Sequence, residues 1–163
     1  KVAFISGGTS GLGKATVYEL VKRGARVIFV GRDDAKAQEV INKCKELGGE
    51  AEYKNCDITK HQNVIDVFGY IRERYGKLDF AGNVAGTGIP STQIDDTTDD
   101  QIDMMIDINL KGLIYCMIEE IKIMREHSFG RIVNIASGAA NIGAPCFGSI
   151  QGRRCWCNKK CML

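Results

Sequence analysis

The chain has 163 residues, 44% of them hydrophobic and 26% charged, with a formal net charge of +2. That balance fits one globular domain with a core of its own and excludes a disordered segment. The near-neutral charge carries no basic stripe that would point to nucleic acid, and no apolar run approaches the ~20 residues of a membrane span.

Val2 to Ile5 is a short apolar run with β-branched character, and Gly7, Gly11 and Gly13 follow it before a helical pattern begins. A buried strand that runs through glycines into a helix N-terminus suits a diphosphate, because backbone can approach closely and free N–H groups face the anion. The spacing is G-x-x-x-G-x-G, and an ordinary strand–turn–helix connection is the plainer alternative. Leu12 to Lys22 carries Leu12, Ala15, Thr16, Leu20 and Val21 near helical spacing and stops at Arg23-Gly24. Arg26 to Val30 reads as a second buried strand, Asp34 to Leu47 as a helix with Ala37, Val40, Ile41, Cys44 and Leu47 on one face, and Glu50 to Asn55 as a third strand. Thr59-x-x-Gln62 reads as a capping box for a helix with Val64, Ile65, Val67, Phe68 and Ile71. Leu78 to Val84 is a fourth strand, residues 87–97 a polar loop with Pro90, and Thr98-x-x-Gln101 a second capping box for one long helix to about Glu126. Ile132 to Ala136 is a fifth strand ending at Ser137. The alternation predicts an α/β fold, a doubly wound parallel sheet of Rossmann type with the glycine loop at its carboxyl edge.

Seven cysteines, an odd number, form no disulfide framework. Cys44, Cys56 and Cys116 sit in apolar patterns and read as core residues, so a reducing, cytoplasmic setting is expected. A targeting segment ahead of Lys1 stays open, since the chain does not start with Met. Cys155, Cys157 and Cys161 lack the C-x2-C spacing and fourth ligand of a zinc site, so no metal is expected there.

In this order, the motifs resemble the short-chain dehydrogenase/reductase family over residues 1–149. Ser6-Gly7-Gly8-Thr9-Ser10-Gly11-Leu12-Gly13 resembles that family's T-G-x-x-x-G-x-G, and Cys56-Asp57-Ile58-Thr59 its D-V-T. Tyr75-Gly76-Lys77-Leu78-Asp79 precedes Asn83-Val84-Ala85-Gly86, which is similar to N-N-A-G with Val84 for the second Asn. Ile108-Asn109-Leu110-Lys111-Gly112 matches the helix bearing the active-site Asn, and Arg131-Ile132-Val133-Asn134-Ile135-Ala136-Ser137 the strand ending at the active-site Ser. The resemblance implies an NAD(P)-dependent oxidoreductase that moves hydride between a nicotinamide and a small-molecule ketone or secondary alcohol. Gly7, Ser10, Gly11, Leu12, Gly13, Arg32, Asp57, Ile58, Asn83, Ala85 and Gly86 are the implied cofactor residues, and Asn109 and Ser137 the implied catalytic ones.

Three of these roles have a physical reading of their own. Asp57 ends a strand beside the crevice, where its carboxylate either accepts from an adenine amino group or merely closes a turn. Asn83 can bond backbone across the crevice, a structural role. Gly31 stands where an NAD-type acid would hold the ribose 2′-OH, and Arg32 follows, which suits a 2′-phosphate. NADP is therefore expected ahead of NAD, although Ser10 is not basic, Asp33 can still meet a ribose, and Arg32 can be an ordinary solvated residue.

The match breaks at the proton donor. In this family a Tyr donates the proton, and a Lys four residues on helps bring its pKa down from about 10. At the corresponding positions stand Ile150 and Arg154. Residues 150–163 read as an atypical Cys-rich tail, from an altered reading frame or splice product, on a domain truncated after the fifth strand. The expected consequence is weak or absent turnover. The alternatives are a non-catalytic dinucleotide-binding or interaction module, and a nonfunctional truncated product.

Overall fold

In the computed structural model, residues 1–88 and 94–137 are described. They form one parallel sheet of five strands in the order β3-β2-β1-β4-β5, as the alternation predicts. The strands are β1 (Val2–Ser6), β2 (Arg26–Gly31), β3 (Ala51–Asn55), β4 (Phe80–Asn83) and β5 (Arg131–Asn134). The helices are α1 (Gly11–Lys22), α2 (Asp34–Glu46), α3 (His61–Tyr75), α4 (Asp99–Ile106) and α5 (Leu113–Glu126).

Both faces of the central strands are buried, which is why they read as continuous apolar runs rather than alternating ones. Phe4, Ile28 and Val30 meet Val64, Phe68 and Ile71 of α3 and Cys116 and Ile123 of α5 on one face. Ala3, Ile5, Val27 and Phe29 meet Val17 and Val21 of α1 and Ala37, Val40 and Cys44 of α2 on the other. In register, Ser6 lies level with Val30 on β2 and with Asn83 on β4, and Asn83 with Asn134 on β5. These strand ends define one rim of the sheet.

Several expectations need correction. The buried stripe of α1 is Gly13, Val17 and Val21, and Leu12 is 56% exposed. The shift comes from Gly13, whose missing side chain lets the helix sit against the glycine loop: a Cβ there would collide with the Gly7 carbonyl oxygen. Thr59 does not cap α3; the N-cap is Lys60, with no side-chain cap bond. The Thr59 hydroxyl and N–H instead donate to Asp57 Oδ1, at 2.8 and 3.0 Å, closing a turn ahead of a helix that starts one residue later than the box requires. The Thr98–Gln101 capping box is present at α4. The long helix to Glu126 is not continuous α-helix, since Asp107–Gly112 is a π-helical segment between α4 and α5. Gly112 permits close packing there: a Cβ would stand 2.7 Å from Ile58 Cγ1. β4 starts at Phe80 rather than Leu78 and ends at Asn83, and β5 runs from Arg131 to Asn134 rather than from Ile132 to Ala136.

Candidate functional site

A cleft of about 410 Å³ opens at the carboxyl rim of the sheet. Its floor is the loop after β1. Gly7 adopts φ +70°, and a Cβ there would approach the Ala85 Cα to 2.8 Å, so the residue's missing side chain sets how closely the β1 and β4 ends approach. The Gly8 N–H donates to the Val30 carbonyl at 3.0 Å, and Ser6 Oγ accepts from the N–H groups of Val84 and Ala85 at 3.1 and 3.2 Å. The loop is thus pinned to β2 on one side and β4 on the other. Ser10 is the N-cap of α1, yet its side chain caps nothing. The N–H groups of the first turn therefore have no intrahelical acceptor and stand at the cleft.

The structure brings Gly7, Ser10, Gly11, Leu12, Gly13, Arg32, Asp57, Ile58, Ala85 and Gly86 together on the lining of this one cleft. Asn83 is the exception among the implied cofactor residues. It is 2% exposed and bonded behind the wall, its Nδ2 donating to Glu120 Oε2 at 3.1 Å and to Asn134 Oδ1 at 3.0 Å. Those bonds tie β4 to α5 and β5.

The end of β2 has a definite charge arrangement. Asp33 caps α2, accepting from the Lys36 N–H at 3.0 Å and pairing with the Lys36 ammonium at 2.9 Å, and these bonds hold its carboxyl below the usual range. Asp34 accepts from Asn55 Nδ2 and the Tyr53 hydroxyl at 2.6 and 2.8 Å, which likewise lowers it. Arg32 is exposed and makes no hydrogen bond or ion pair among the described residues. A side chain at Gly31 has no room, since its Cβ would lie 2.7 Å from Thr9 Cγ2. Asp57 Oδ1 closes the turn to Thr59, the plainer of its two expected roles, and the residue also lines the cleft. Cys56 also lines it, but burial pushes its thiol up to about 11, so it is protonated and a poor nucleophile at neutral pH.

The two implied catalytic residues do not line the described cleft, although their neighbours Ile108 and Ile135 do. Asn109 lies in the π-helical segment, 3% exposed. Its Oδ1 accepts from the Thr87 N–H and its Nδ2 donates to the Thr87 carbonyl, both at 2.9 Å, so the side chain fixes the loop after β4. Ser137 is half-buried, three residues beyond the end of β5. Ile150, Arg154 and the three tail cysteines lie outside the described residues, as does Pro90.

Sequence reasoning missed Glu120, which is fully buried on α5 behind the β4 wall. The available signal was an acid on an apolar stripe, four residues after Cys116 and three before Ile123. It also missed the Ser6 hydroxyl as a strap between strands, and Asn134 and Thr87 as its counterparts on the β4 side. Among the described residues no helix is long and apolar enough to cross a membrane.

Comparison with known proteins agrees with this geometry. The family model for short chain dehydrogenase matches residues 1–149. A 3beta-hydroxysteroid dehydrogenase of Mediterraneibacter gnavus is 38% identical over 145 residues, which cover 89% of this chain and 52% of that protein. A structure of actinorhodin polyketide ketoreductase with NADPH superposes with a TM-score of 0.89 at 28% identity, covering 94% of this chain and 59% of the other. NAD+-bound xylitol dehydrogenase gives a TM-score of 0.89 at 26% identity, with the same 94% and 59% coverage. The chain therefore spans about half the length of the curated relative, 52%. With a family model over nearly its whole length and the cleft in the expected place, the chain belongs to the short chain dehydrogenase family.

Proposed function

We propose that this chain binds a nicotinamide dinucleotide in the cleft, with NADPH preferred to NADH, as the cofactor half of an oxidoreductase acting on a ketone or secondary alcohol. The observation that carries the preference is Arg32 at the end of β2. It is exposed and makes no hydrogen bond or ion pair among the described residues, while both acids that follow it are tied to α2 and β3. A guanidinium so placed suits a 2′-phosphate by charge and by paired hydrogen bonds. A carboxylate at Gly31, as an NAD-type site would have, would press on the γ atoms of Thr9 and require them to shift.

The residues present fit the group. Uncapped N–H groups of the first turn of α1 face the cleft where a diphosphate would lie. Asp57 stands on the β3 side to meet the adenine, and Ala85 and Gly86 form the opposite wall. A bound nicotinamide supplies the hydride donor or acceptor. The chain's own residues would bind it, orient it and narrow its access to water. Asn109 fixes the Thr87 loop, and Ser137 would be the group that polarises a substrate oxygen, a role that rests on the family resemblance. The buried thiols of Cys44, Cys56 and Cys116 suit a reducing cytosol.

A second reading is favoured by Ile150 and Arg154, neither of which can supply the proton that the reaction needs. On that reading the chain binds dinucleotide and does not turn over. Fluorescence titration of the purified chain with NADPH and NADH, followed by turnover assays with ketones and 3β-hydroxysteroids, separates the two. The expected result is saturable binding of NADPH, weaker binding of NADH, and turnover lower by ~10²–10⁴ than a positioned acid would give. NADH binding as tight as NADPH would remove the role of Arg32. Absence of both would remove the cleft as a dinucleotide site.

A further inference from the structure

Glu120 is fully buried on α5, and its carboxyl is bound on one side only. Asn83 Nδ2 donates to Oε2 at 3.1 Å, while Glu120 Oε1 and Asn83 Oδ1 are both buried without a partner. Both hydrogens of the Asn83 amide are already engaged, the second with Asn134 Oδ1 at 3.0 Å. If the carboxyl were ionised, two acceptors would be buried with no donor between them, a costly arrangement. A carboxylic acid and a primary amide are complementary, however. The amide N–H donates to the acid carbonyl, and the acid O–H donates to the amide carbonyl. The two orphaned oxygens are the two atoms that this second bond would join, so one proton on Oε1 satisfies both.

We propose that Glu120 is a positioning residue for the dinucleotide cleft: its protonated carboxyl closes a two-bond acid–amide pair with Asn83 and so fixes the end of β4 that carries Val84, Ala85 and Gly86 to the cleft wall. The proposal rests on the reading of that cleft as the dinucleotide site. The mechanical link is short. Asn83 ends β4, the next two N–H groups bond Ser6 Oγ, and Ala85 packs on Gly7. The same pair also reaches β5 through Asn134, whose Nδ2 contacts Met117 Sδ on α5 at 3.5 Å.

Among the described residues the surroundings supply no cation to hold a carboxylate. Cys116 lies on the same helix, its thiol raised by burial and by Glu120, and Cys56 approaches from the end of β3 with Asp57 and Asp66 near it. From α3, His61 stacks on Tyr115 and lies 3.7 Å from Glu119, which Lys122 also binds at 2.7 Å. The β4 and β5 residues facing Glu120 are the uncharged Asn83 and Asn134, and strand alternation puts Arg131 on the other face from Asn134. Asp79, ahead of β4 at the opposite end of the strand, shows the contrast. Burial raises it, but the Val2 N–H and the Lys77 and Lys1 ammonium groups outweigh that and hold it ionised. Burial pushes Glu120 up to about 8, only partly opposed by the Asn83 N–H.

The test compares the full chain with Glu120→Gln, whose amide reproduces the two-bond pair at every pH. NADPH dissociation constants are measured from pH 6 to pH 9. The unmodified chain is expected to weaken roughly tenfold by pH 9, as the binding-competent protonated fraction falls, while Glu120→Gln stays flat. A flat profile in the unmodified chain, or an equal slope in both, overturns the proposal. Carbon-13 NMR of the Glu side-chain carboxyls supplies a readout independent of the cofactor. One resonance absent from Glu120→Gln is expected to titrate near pH 8, and titration of that resonance near pH 4 overturns the proposal. If NADPH fails to bind at every pH while that resonance still titrates near 8, the dinucleotide reading falls and the acid–amide pair stands. A Glu120→Gln chain that does not fold also overturns it, since the amide leaves neither oxygen orphaned.

Discussion

The two walls of the cleft are held by different means. On the β1–α1–β2 side the work is done by backbone. Gly7 and Gly13 let loop, helix and strand approach to distances that any side chain would block, and the N–H groups of α1 are left without a cap. On the β4–β5–α5 side it is done by side chains. Ser6, Asn83, Asn134, Glu120 and the Asn109–Thr87 pair strap the strand ends and the following loop in place. A backbone cradle tolerates no added atoms but is indifferent to pH, whereas a buried polar network tolerates shape changes poorly and answers to protons. On the proposed reading the first wall would meet a ligand's phosphates directly, and the strapping side chains of the second would position the strand ends.

The largest way to break that contrast is with pH. Glu120 has a folded-state pKa of about 8 against an ordinary 4.5, so between these values the folded state holds a proton that the unfolded state has lost. Its stabilisation is complete below pH 4.5 and falls as pH rises to about 8, by ~1.4 kcal/mol per unit and up to about 4 to 5 kcal/mol in all. Denaturant unfolding of the chain and of Glu120→Gln across that range is expected to show the slope in the former and not in the latter. Truncation is next. Glu120→Ala opens a cavity and strands the Asn83 amide, and it is expected to lower stability by about 3 kcal/mol in urea titrations near pH 7. On the backbone wall, Gly13→Val places atoms on the Gly7 carbonyl; it is expected to abolish saturable NADPH binding and to destabilise by roughly 1–3 kcal/mol, with no change in pH dependence. Arg32→Ala is expected to weaken NADPH about tenfold, or ~1.4 kcal/mol, and to leave NADH unchanged, as read by fluorescence titration. The smallest effect lies away from both walls. Thr98→Ala removes the cap of α4 and should lower the unfolding free energy by ~1 kcal/mol, without altering dinucleotide binding.

The same contrast explains what the sequence disclosed. The backbone wall was legible because glycine has few reasons to recur at such spacing, and because a buried parallel strand announces itself as an apolar run. Val2–Ser6, Arg26–Gly31 and the glycines between them lay within a residue or two of where the pattern put them. The polar wall was legible only as a list of motif residues. Asn83 carries the right label for the site, yet it bonds Glu120 and Asn134 rather than facing the cleft, a partnership that spans 37 and 51 residues of chain. No local pattern encodes such distances. Thr59 misled for a related reason: its spacing to Gln62 fits a capping box, but Thr59 is tied into a turn with Asp57, two residues back, and the helix starts one residue later. The π-helical turn at Asp107–Gly112 left no sequence mark, because its apolar spacing differs from an α-helix by one residue.

The most direct test of the central claim uses the adenosine halves of NADP and NAD, which differ by one phosphate. Calorimetric titration of the chain with adenosine 2′,5′-bisphosphate and with AMP reads the cleft without any demand on the nicotinamide or on catalysis. Saturable one-to-one binding of the bisphosphate, tighter than AMP and reduced to the AMP level by Arg32→Ala, is the predicted result. Equal affinities, or a preference that survives Arg32→Ala, would contradict the assignment of Arg32 and with it the NADP-type cleft.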